Sequence, residues 1–254
     1  MTDAVLYEMR GAVAVVTINR PEARNAINRA VREGIFAAFE RFEADPEAHV
    51  AILTGAGDRA FCAGMDLKEA ATEGRGVMPH GFLPVIGDTI ELTKPTIAAV
   101  NGAAMAGGWM FAQMCDLCVA AEHATFAITE AKVGRGTPWA APLVGMLPQR
   151  VAMEILLTGD PVSARRLLEL GYVNALVPGE RLMEAAVALA ERIAGNAPLT
   201  VRACRELVHM SQEMGRTAAL RAARHLFRPV YMSEDAQEGP QAFAEKRPPV
   251  WKGR

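Results

Sequence analysis

The sequence predicts an α/β fold in which strand–turn–helix units repeat through about residue 195 and helices fill the rest of the chain. Short apolar, β-branched segments bounded by Gly, Asn or Pro alternate with longer segments whose apolar residues recur at helical spacing. Such units indicate stacked repeats around one core, and 254 residues with 51% hydrophobic content suffice to form it. We therefore divide the chain into a repeat core, residues 1–195, and a helical region, residues 196–254.

The first unit begins with a β-branched strand, Val13–Ile18, which stops before Pro21. A helix follows, with Asn25 or Asn28 as its cap and a stop at Asp45-Pro46. Its apolar positions recur at helical spacing: Ile27, Val31, Ile35, Phe39 and Phe42. A second strand, 50–53, leads to a loop centred on Gly64, with a helix start at about Asp66. The glycine-rich segment 72–87 reads as a mobile surface segment, and 88–92 as a helix.

The stretch 94–116 carries no charge between its ends. An uncharged apolar stretch of this length also fits a transmembrane helix. Asn101, Gln113 and several glycines dilute the apolarity, however, and the pattern changes at Asn101. We therefore predict a buried strand at Thr96–Val100, a turn, and a buried helix that runs from the glycine pair to Met114.

The remaining elements follow from the same signals. Strands are predicted at Leu117–Ala121 and 173–177, and the segment 125–128 is short and apolar. Helices are predicted at 151–157, from Ser163 to Gly171, and at 180–194, 199–213 and 217–232. The tail 239–254 is polar, with two aromatic residues.

Composition excludes several classes of protein. A net charge of -2 gives no argument for binding nucleic acid or an anionic membrane. The chain has one C-x-x-C motif but no second such motif and no partner histidines. This pattern favours buried free thiols over zinc or redox chemistry. The cysteines are Cys62, Cys115, Cys118 and Cys204. The first residues lack a basic region followed by an apolar core, so we expect a cytoplasmic enzyme.

Two glycine turns suggest a site for developing negative charge. Glycines allow backbone N–H groups to approach a ligand closely, and the start of a helix adds unpaired N–H donors. The loop at Gly64 and the pair Gly107-Gly108 both have this character. Taken alone, however, the glycine pair favours close packing of a strand against a helix.

The chain resembles the crotonase (enoyl-CoA hydratase/isomerase) superfamily over nearly its whole length. The matching motifs are Asn19-Arg20-Pro21, Asn25-Ala26, 61–67 (FCAGMDL), Lys94-Pro95, Asn101-Gly102, Ala106-Gly107-Gly108, Cys115-Asp116, 157–160 (LTGD) and 242–247 (AFAEKR). The resemblance implies a crotonase-like spiral of ββα repeats with a C-terminal helical trimerisation region. It also implies an acyl-CoA thioester substrate and a homotrimer or dimer of trimers. Coenzyme A is then part of the substrate, and no separate cofactor or metal is expected.

The resemblance assigns roles to particular residues. The backbone N–H groups of Met65 and Gly107 match the family's oxyanion hole, which binds the thioester oxygen. Related hydratases carry two glutamates; this chain has Met110 at the first position and Glu130 at the second. Relatives with only the second glutamate resemble enoyl-CoA isomerases, in which one carboxylate moves a proton from C2 to C4. Apolar neighbours such as Met110, Phe126 and Trp139 would favour the protonated form of Glu130.

The substrate-binding residues also follow from the matched motifs. Arg24 and Lys68 match basic positions near the CoA nucleotide, and Phe243 and Lys246 match a tail segment that reaches the same region, often from a neighbouring subunit. We assign Ala63, Asp66, Gly108, Met110 and Trp139 to the same site. No motif supports an acid role for the carboxylates of Asp66, Glu69, Asp88 and Glu91, and we expect most of them to be solvated or to cap helices.

Three functional hypotheses result. The first is an isomerase that uses Glu130 alone, and the second is an enoyl-CoA hydratase or another lyase or hydrolase of the family. The third is a non-catalytic CoA-binding or RNA-binding homologue. RNA binding would require a basic face, whereas the first long helix mixes arginines with glutamates: Arg29, Arg32, Arg41, Glu33, Glu40 and Glu43.

Overall fold

Ten strands form two sheets in the computed structural model, which describes residues 3–70 and 76–254. The strands are β1 (Val5–Arg10), β2 (Val13–Ile18), β3 (Val50–Gly55), β4 (Ala60–Cys62), β5 (Thr96–Val100), β6 (Ala103–Met105), β7 (Leu117–Ala121), β8 (Thr125–Ala127), β9 (Val162–Ser163) and β10 (Ala175–Val177). One sheet has the order β1-β2-β3-β5-β7-β10 and the other β4-β6-β8-β9. The predicted α/β fold class is confirmed.

Twelve helices connect or cover these strands in the described residues. In the core they are α1 (Arg29–Ala44), α2 (Leu67–Ala70), α3 (Gly107–Gln113), α4 (Glu130–Val133), α5 (Leu143–Met146), α6 (Gln149–Thr158), α7 (Ala164–Glu169) and α8 (Leu182–Ala194). Those of the C-terminal part are α9 (Pro198–Glu213), α10 (Arg216–Leu226), α11 (Arg228–Met232) and α12 (Asp235–Glu245). None of the described helices is long and apolar enough to span a membrane.

The repeat unit gives one strand to each sheet before its helix. The units are β3-β4-α2, β5-β6-α3 and β7-β8-α4, and both sets of strands pair in parallel. Strands buried on both faces appear in the sequence as continuous apolar runs, which explains the composition of β3 and β5. The carboxyl ends of β4, β6 and β8 therefore meet at one edge of the smaller sheet.

Two apolar clusters fill the space around the larger sheet. On one face, Ile52, Ile97 and Val119 pack against α8 through Leu182 and Ala186. The other face joins the larger cluster, which also holds α1, α3 and the smaller sheet. This arrangement fits one core for the repeats, while the boundary at residue 195 stays a prediction.

The predicted starts of two helices agree with the structure. Asn28 caps α1 by accepting a hydrogen bond from the Val31 N–H at 3.0 Å, and Ser163 caps α7. Asn25 is buried instead and donates to the carbonyls of Ala56 and Ala60.

Other local predictions were wrong. Strand β1 was missed, and residues 88–92 form a turn in place of a helix because the Thr89 hydroxyl donates to the Leu83 carbonyl and accepts from the Val85 N–H. The helix predicted at 217–232 breaks at Phe227, ahead of Pro229, and α12 occupies the start of the tail. Cys204 is exposed, unlike the three buried cysteines. Of the segment 72–87, residues 72–75 lie outside the described residues, and 76–87 consists of turns and irregular backbone.

Asp116 ties the C-terminal helices to the core. Its carboxylate accepts hydrogen bonds from the Thr96 N–H at 2.8 Å, from Arg205 Nε at 2.9 Å and from His209 Nε2 at 3.0 Å. Arg205 also donates to the Leu92 carbonyl. Burial acts to raise the pKa of Asp116, but the hydrogen bond from His209 and the charge of Arg205 outweigh it and lower that pKa. A charged group is thus held between α9 and β5.

We expect Asp116→Asn to lower the free energy of unfolding by about 3–5 kcal/mol at neutral pH, because it leaves the mostly buried Arg205 without its counter-charge. With a lowered folded pKa, the contribution of Asp116 is complete above its unfolded pKa of about 3.9 and is lost as the pH falls through the folded pKa. Denaturant unfolding as a function of pH measures the difference in the free energy of unfolding between variant and parent. This difference should disappear in acid. The exposed Asp160, changed to Asn, is the control and should change little. A difference independent of pH would contradict this role.

Candidate active site

Three neighbouring parallel strands end beside one another and carry the candidate catalytic groups. Met65 follows the end of β4 by three residues, Gly107 follows β6 by two, and Glu130 follows β8 by three. Cys62 lies opposite Ala104 after a register shift between Ala60 and Cys62, and Met105 lies opposite Ala127. The fold therefore brings together the three residues that the sequence assigned to catalysis.

The turns at Gly64 and Gly107 are packed directly against each other. Gly64 has φ +85°, and a β-carbon there would lie 2.9 Å from the Ala106 Cβ and 3.4 Å from the Gly107 nitrogen. Glycine at position 64 is thus required by both its conformation and its surroundings. Neither the Met65 N–H nor the Gly107 N–H makes a hydrogen bond with any of the described residues. Two unpaired donors consequently stand side by side.

Ala106 holds the second turn in an unusual conformation. Its φ is +53° and its ψ is −121°, a region that side-chain-bearing residues rarely adopt and that costs roughly 1–3 kcal/mol. The Ala106 N–H donates to the Ala127 carbonyl at 2.7 Å, and the carbonyl of Ala106 accepts from Trp109 and Met110. These bonds fix the Gly107 N–H relative to the end of β8, from which Glu130 projects.

Glu130 is a buried carboxylic acid with an unpaired oxygen. It is 8% exposed, and its Oε2 has no hydrogen-bond partner among the described residues. Burial raises the pKa of Glu130, in the direction that the apolar neighbours were expected to produce. A buried carboxyl group with a raised pKa, on the segment that follows a strand next to β6, is suited to moving a proton.

Packing accounts for the residue types at positions 110 and 108. Met110 is buried in the larger apolar cluster, one turn into α3. A β-carbon on Gly108 would overlap the Cys62 carbonyl oxygen, so this glycine allows α3 to pack against β4. Position 110 therefore holds an apolar side chain that is part of the core.

Asp66 and its partners brace the first turn. Asp66 accepts a hydrogen bond from Arg20 at 3.0 Å and from the Lys68 N–H at 3.1 Å, so it caps α2. Burial acts to raise the pKa of Asp66, but the hydrogen bonds, led by that of Arg20, lower it. Lys68 is exposed, which leaves its ammonium accessible to an anion.

The predicted nucleotide-binding residues lie at the surface. The Arg24 side chain is exposed, and the carbonyl of Arg24 accepts from the Ala63 N–H at 3.1 Å, so it sits beside the first turn. Phe243 is 87% exposed on α12, and Lys246 is exposed at its end. No contact within one chain joins these two residues to the turns among the described residues.

Gln113 is a buried polar residue to which the sequence analysis assigned no role. It is buried on α3, and its Nε2 donates to the carbonyl of Trp139 at 2.7 Å. Its side chain is therefore the group that holds the segment after α4 against α3, and Trp139 itself is half-buried there. The available signal was a single polar residue within an otherwise apolar helical run.

Comparison with known proteins agrees with this geometry. The sequence model of the enoyl-CoA hydratase/isomerase family matches residues 8–254. The chain belongs to the enoyl-CoA hydratase/isomerase family. A carnitinyl-CoA dehydratase of Salmonella typhimurium is 40% identical to it, with all of both chains covered.

Solved structures of the family resemble the chain along its whole length. An enoyl-CoA hydratase from Mycobacterium marinum has a TM-score of 0.92 and 42% identity over 99% of this chain and all of its own. A probable enoyl-CoA hydratase/isomerase from Mycobacterium abscessus has a TM-score of 0.90 and 41% identity, with both chains fully covered. The ββα units described above thus form the crotonase fold. The described residues contain no group of three His, Cys, Asp or Glu side chains arranged to hold a metal ion.

We expect Gly64→Ala to lower turnover of an enoyl-CoA thioester by about 100-fold, because the new methyl group displaces the Met65 N–H donor. Gly81→Ala is the matched control, since Gly81 has the same φ of +85° with open space around it. Both variants share a conformational cost of about 1 kcal/mol. Steady-state kinetics with thermal unfolding measures both effects. Equal turnover in the two folded variants would show that the first turn takes no part.

Proposed function

We propose that the protein acts on acyl-CoA thioesters by stabilising a thioester enolate, with Glu130 as its single acid–base group. The observation that carries this proposal is the buried Glu130 Oε2, which has no partner among the described residues, three residues after the end of β8, the strand that pairs with β6 ahead of the Gly107 turn. Removal of a proton from C2 of a thioester moves negative charge onto the carbonyl oxygen. Two preorganised donors lower that barrier, and the loss of one such donor typically costs about 3 kcal/mol.

Double-bond isomerisation is the reaction that this set of groups supports best. The Glu130 carboxylate takes a proton from C2 of a β,γ-unsaturated thioester, the double bond moves to C2–C3, and the same carboxyl returns the proton to C4. Atoms and charge balance without a second catalytic group. The raised pKa of Glu130 supports this shuttle, because it brings the protonated and ionised forms closer in free energy near neutral pH.

Hydration of a 2-enoyl-CoA, or the reverse dehydration, is the second candidate. It is supported by the names of the relatives, which include enoyl-CoA hydratases and a carnitinyl-CoA dehydratase. Against it stands Met110, whose thioether cannot take a proton from water. A non-catalytic CoA-binding role fits poorly with an unpaired buried carboxyl group.

The CoA part of the substrate accounts for the remaining assignments. Arg24, Lys68 and Lys246 would bind its anionic groups, and no further cofactor is needed for the proposed chemistry. We propose a homotrimer or a dimer of trimers, in which a neighbouring subunit brings Phe243 to the site. Exposed apolar side chains in the C-terminal helices support such an assembly; they include Val208, Leu220, Tyr231, Met232 and Phe243.

Glu130→Gln should abolish turnover and leave binding of the CoA thioester nearly intact, because the amide has the same shape but cannot accept a proton. It should also raise the melting temperature at about pH 8. The folded pKa of Glu130 is raised, so the parent loses stability as the pH rises from the unfolded pKa, about 4.3, through the folded pKa. The glutamine variant has no ionisable group at this position and does not lose stability in this way.

Isothermal titration, coupled assays and thermal unfolding test the three parts of this prediction. The exposed Glu122, changed to Gln, is the control and should leave all of them unchanged. Full turnover by a folded Glu130→Gln protein would place the catalytic group elsewhere.

Met110→Glu should favour water addition over double-bond migration, since it supplies a second carboxylate one turn into α3. It should also lower the melting temperature, because an unpaired charge in this apolar site is costly. Met110→Gln, which is polar but cannot accept a proton, separates the two effects. Mass spectrometry of products from 2-enoyl- and 3-enoyl-CoA measures both reactions. Rapid water addition by the parent without migration would favour the hydratase.

A further inference from the structure

Gln113 carries a polar atom that nothing in the described chain satisfies. The residue is 5% exposed, and its Oε1 has no hydrogen-bond partner among the described residues. The orientation of the amide is fixed, because its other end donates to the Trp139 carbonyl, which can only accept. The free atom is therefore a hydrogen-bond acceptor.

A buried carbonyl oxygen without a donor costs about 1–3 kcal/mol, so such an atom calls for a ligand or a function. In the described chain the side-chain atoms in this condition are Gln113 Oε1, Glu130 Oε2 and His49 Nδ1. The first two lie on consecutive repeat units, Gln113 at the end of α3 and Glu130 at the start of α4. Gln113 holds the segment that continues from Glu130, and it lies one helical turn beyond Met110.

The usual direction of side chains on a helix agrees with this placement. Long side chains lean back towards the N-terminus of the helix, and for Gln113 that direction leads to the turn that holds Met110. That turn begins at Gly107, whose N–H is one of the two free donors. The amide thus stands on the side of α3 that adjoins the segment leading from Glu130.

We infer that Gln113 is a specificity-determining residue whose Oε1 accepts a hydrogen bond from an O–H group bound next to Glu130. The inference rests on the proposed action on acyl-CoA thioesters. The O–H group has two possible sources: a hydroxyl on the acyl chain, or a water molecule that adds to the double bond. In the second case the oxygen bonds to C3, one hydrogen stays on it, and the other reaches C2 through Glu130.

The consequence is selection against plain hydrocarbon chains. A saturated or unsaturated hydrocarbon chain cannot donate a hydrogen bond to the Gln113 side-chain carbonyl. Its binding would exclude water from that oxygen and leave it unpaired. Sites built to pair a hydroxyl reject analogues that lack it far better than apolar pockets reject a hydroxyl. Gln113 therefore biases the protein towards acyl groups that carry, gain or lose a hydroxyl.

The test compares butyryl-CoA with 3-hydroxybutyryl-CoA. The parent should bind the hydroxylated thioester about tenfold more tightly, the effect of one hydrogen bond to an otherwise unpaired carbonyl. Gln113→Met, which is near in shape and has no acceptor oxygen, should bring the ratio of dissociation constants close to one. Gln113→Glu keeps an acceptor and should retain the preference. Titration calorimetry gives the ratios, and thermal unfolding confirms that each variant is folded.

A second arm distinguishes water from an acyl hydroxyl. If water is the source, Gln113→Met should lower the ratio of ¹⁸O incorporation from labelled water to double-bond migration about tenfold. The inference is supported if Gln113→Met loses either the preference for the hydroxylated thioester or the incorporation of ¹⁸O. A folded Gln113→Met protein that keeps both the preference and the incorporation overturns it, as does equal weakening of both thioesters, which marks a purely structural contact to Trp139. Failure of the parent to bind any CoA thioester would instead overturn the proposed function.

Discussion

Parallel pairing of β4, β6 and β8 is the constraint on which the candidate site depends. Each of these strands is followed by a turn, and parallel pairing forces all three turns to one edge of the sheet. The two backbone turns can touch only because Gly64 has no side chain. Packing of α3 against β4 in turn needs Gly108. The catalytic geometry is thus set by backbone spacing before any side-chain chemistry enters.

Several locally unfavourable features of the molecule lie on the two repeat units that contribute β6 and β8. Ala106 is held at positive φ, and Glu130 and Gln113 each bury an unpaired oxygen. Such features persist only where the surroundings over-determine them. Here those surroundings are the two apolar clusters and the polar contacts of Asn25 and Asp116. The larger cluster also holds Met110, so changes at position 110 should affect both the site and the stability of the core.

The sequence was sufficient where the signal is local or repeated. Continuous apolar runs predicted the buried strands, and the order of the motifs predicted the adjacency of Met65, Gly107 and Glu130. It was insufficient where a side chain overrides local propensity. Thr89 closes a turn where helical spacing suggested a helix, and the unsatisfied state of Gln113 depends on a carbonyl 26 residues away. Tertiary partners of this kind leave no trace in composition or periodicity.

Met110, which the family resemblance matches to the first glutamate of the hydratases, brings no charge to the proposed site. Two neighbouring carboxyl groups would titrate as a coupled pair, with one pKa raised by repulsion of like charges. With a thioether at that position, burial is the leading influence on the pKa of Glu130, and it raises that pKa. A carboxyl group with a raised pKa suits transfer of a proton between two carbons of the same substrate. The neutral acceptor that we propose for an oxygen-containing partner is the amide of Gln113, which is buried one turn further along α3.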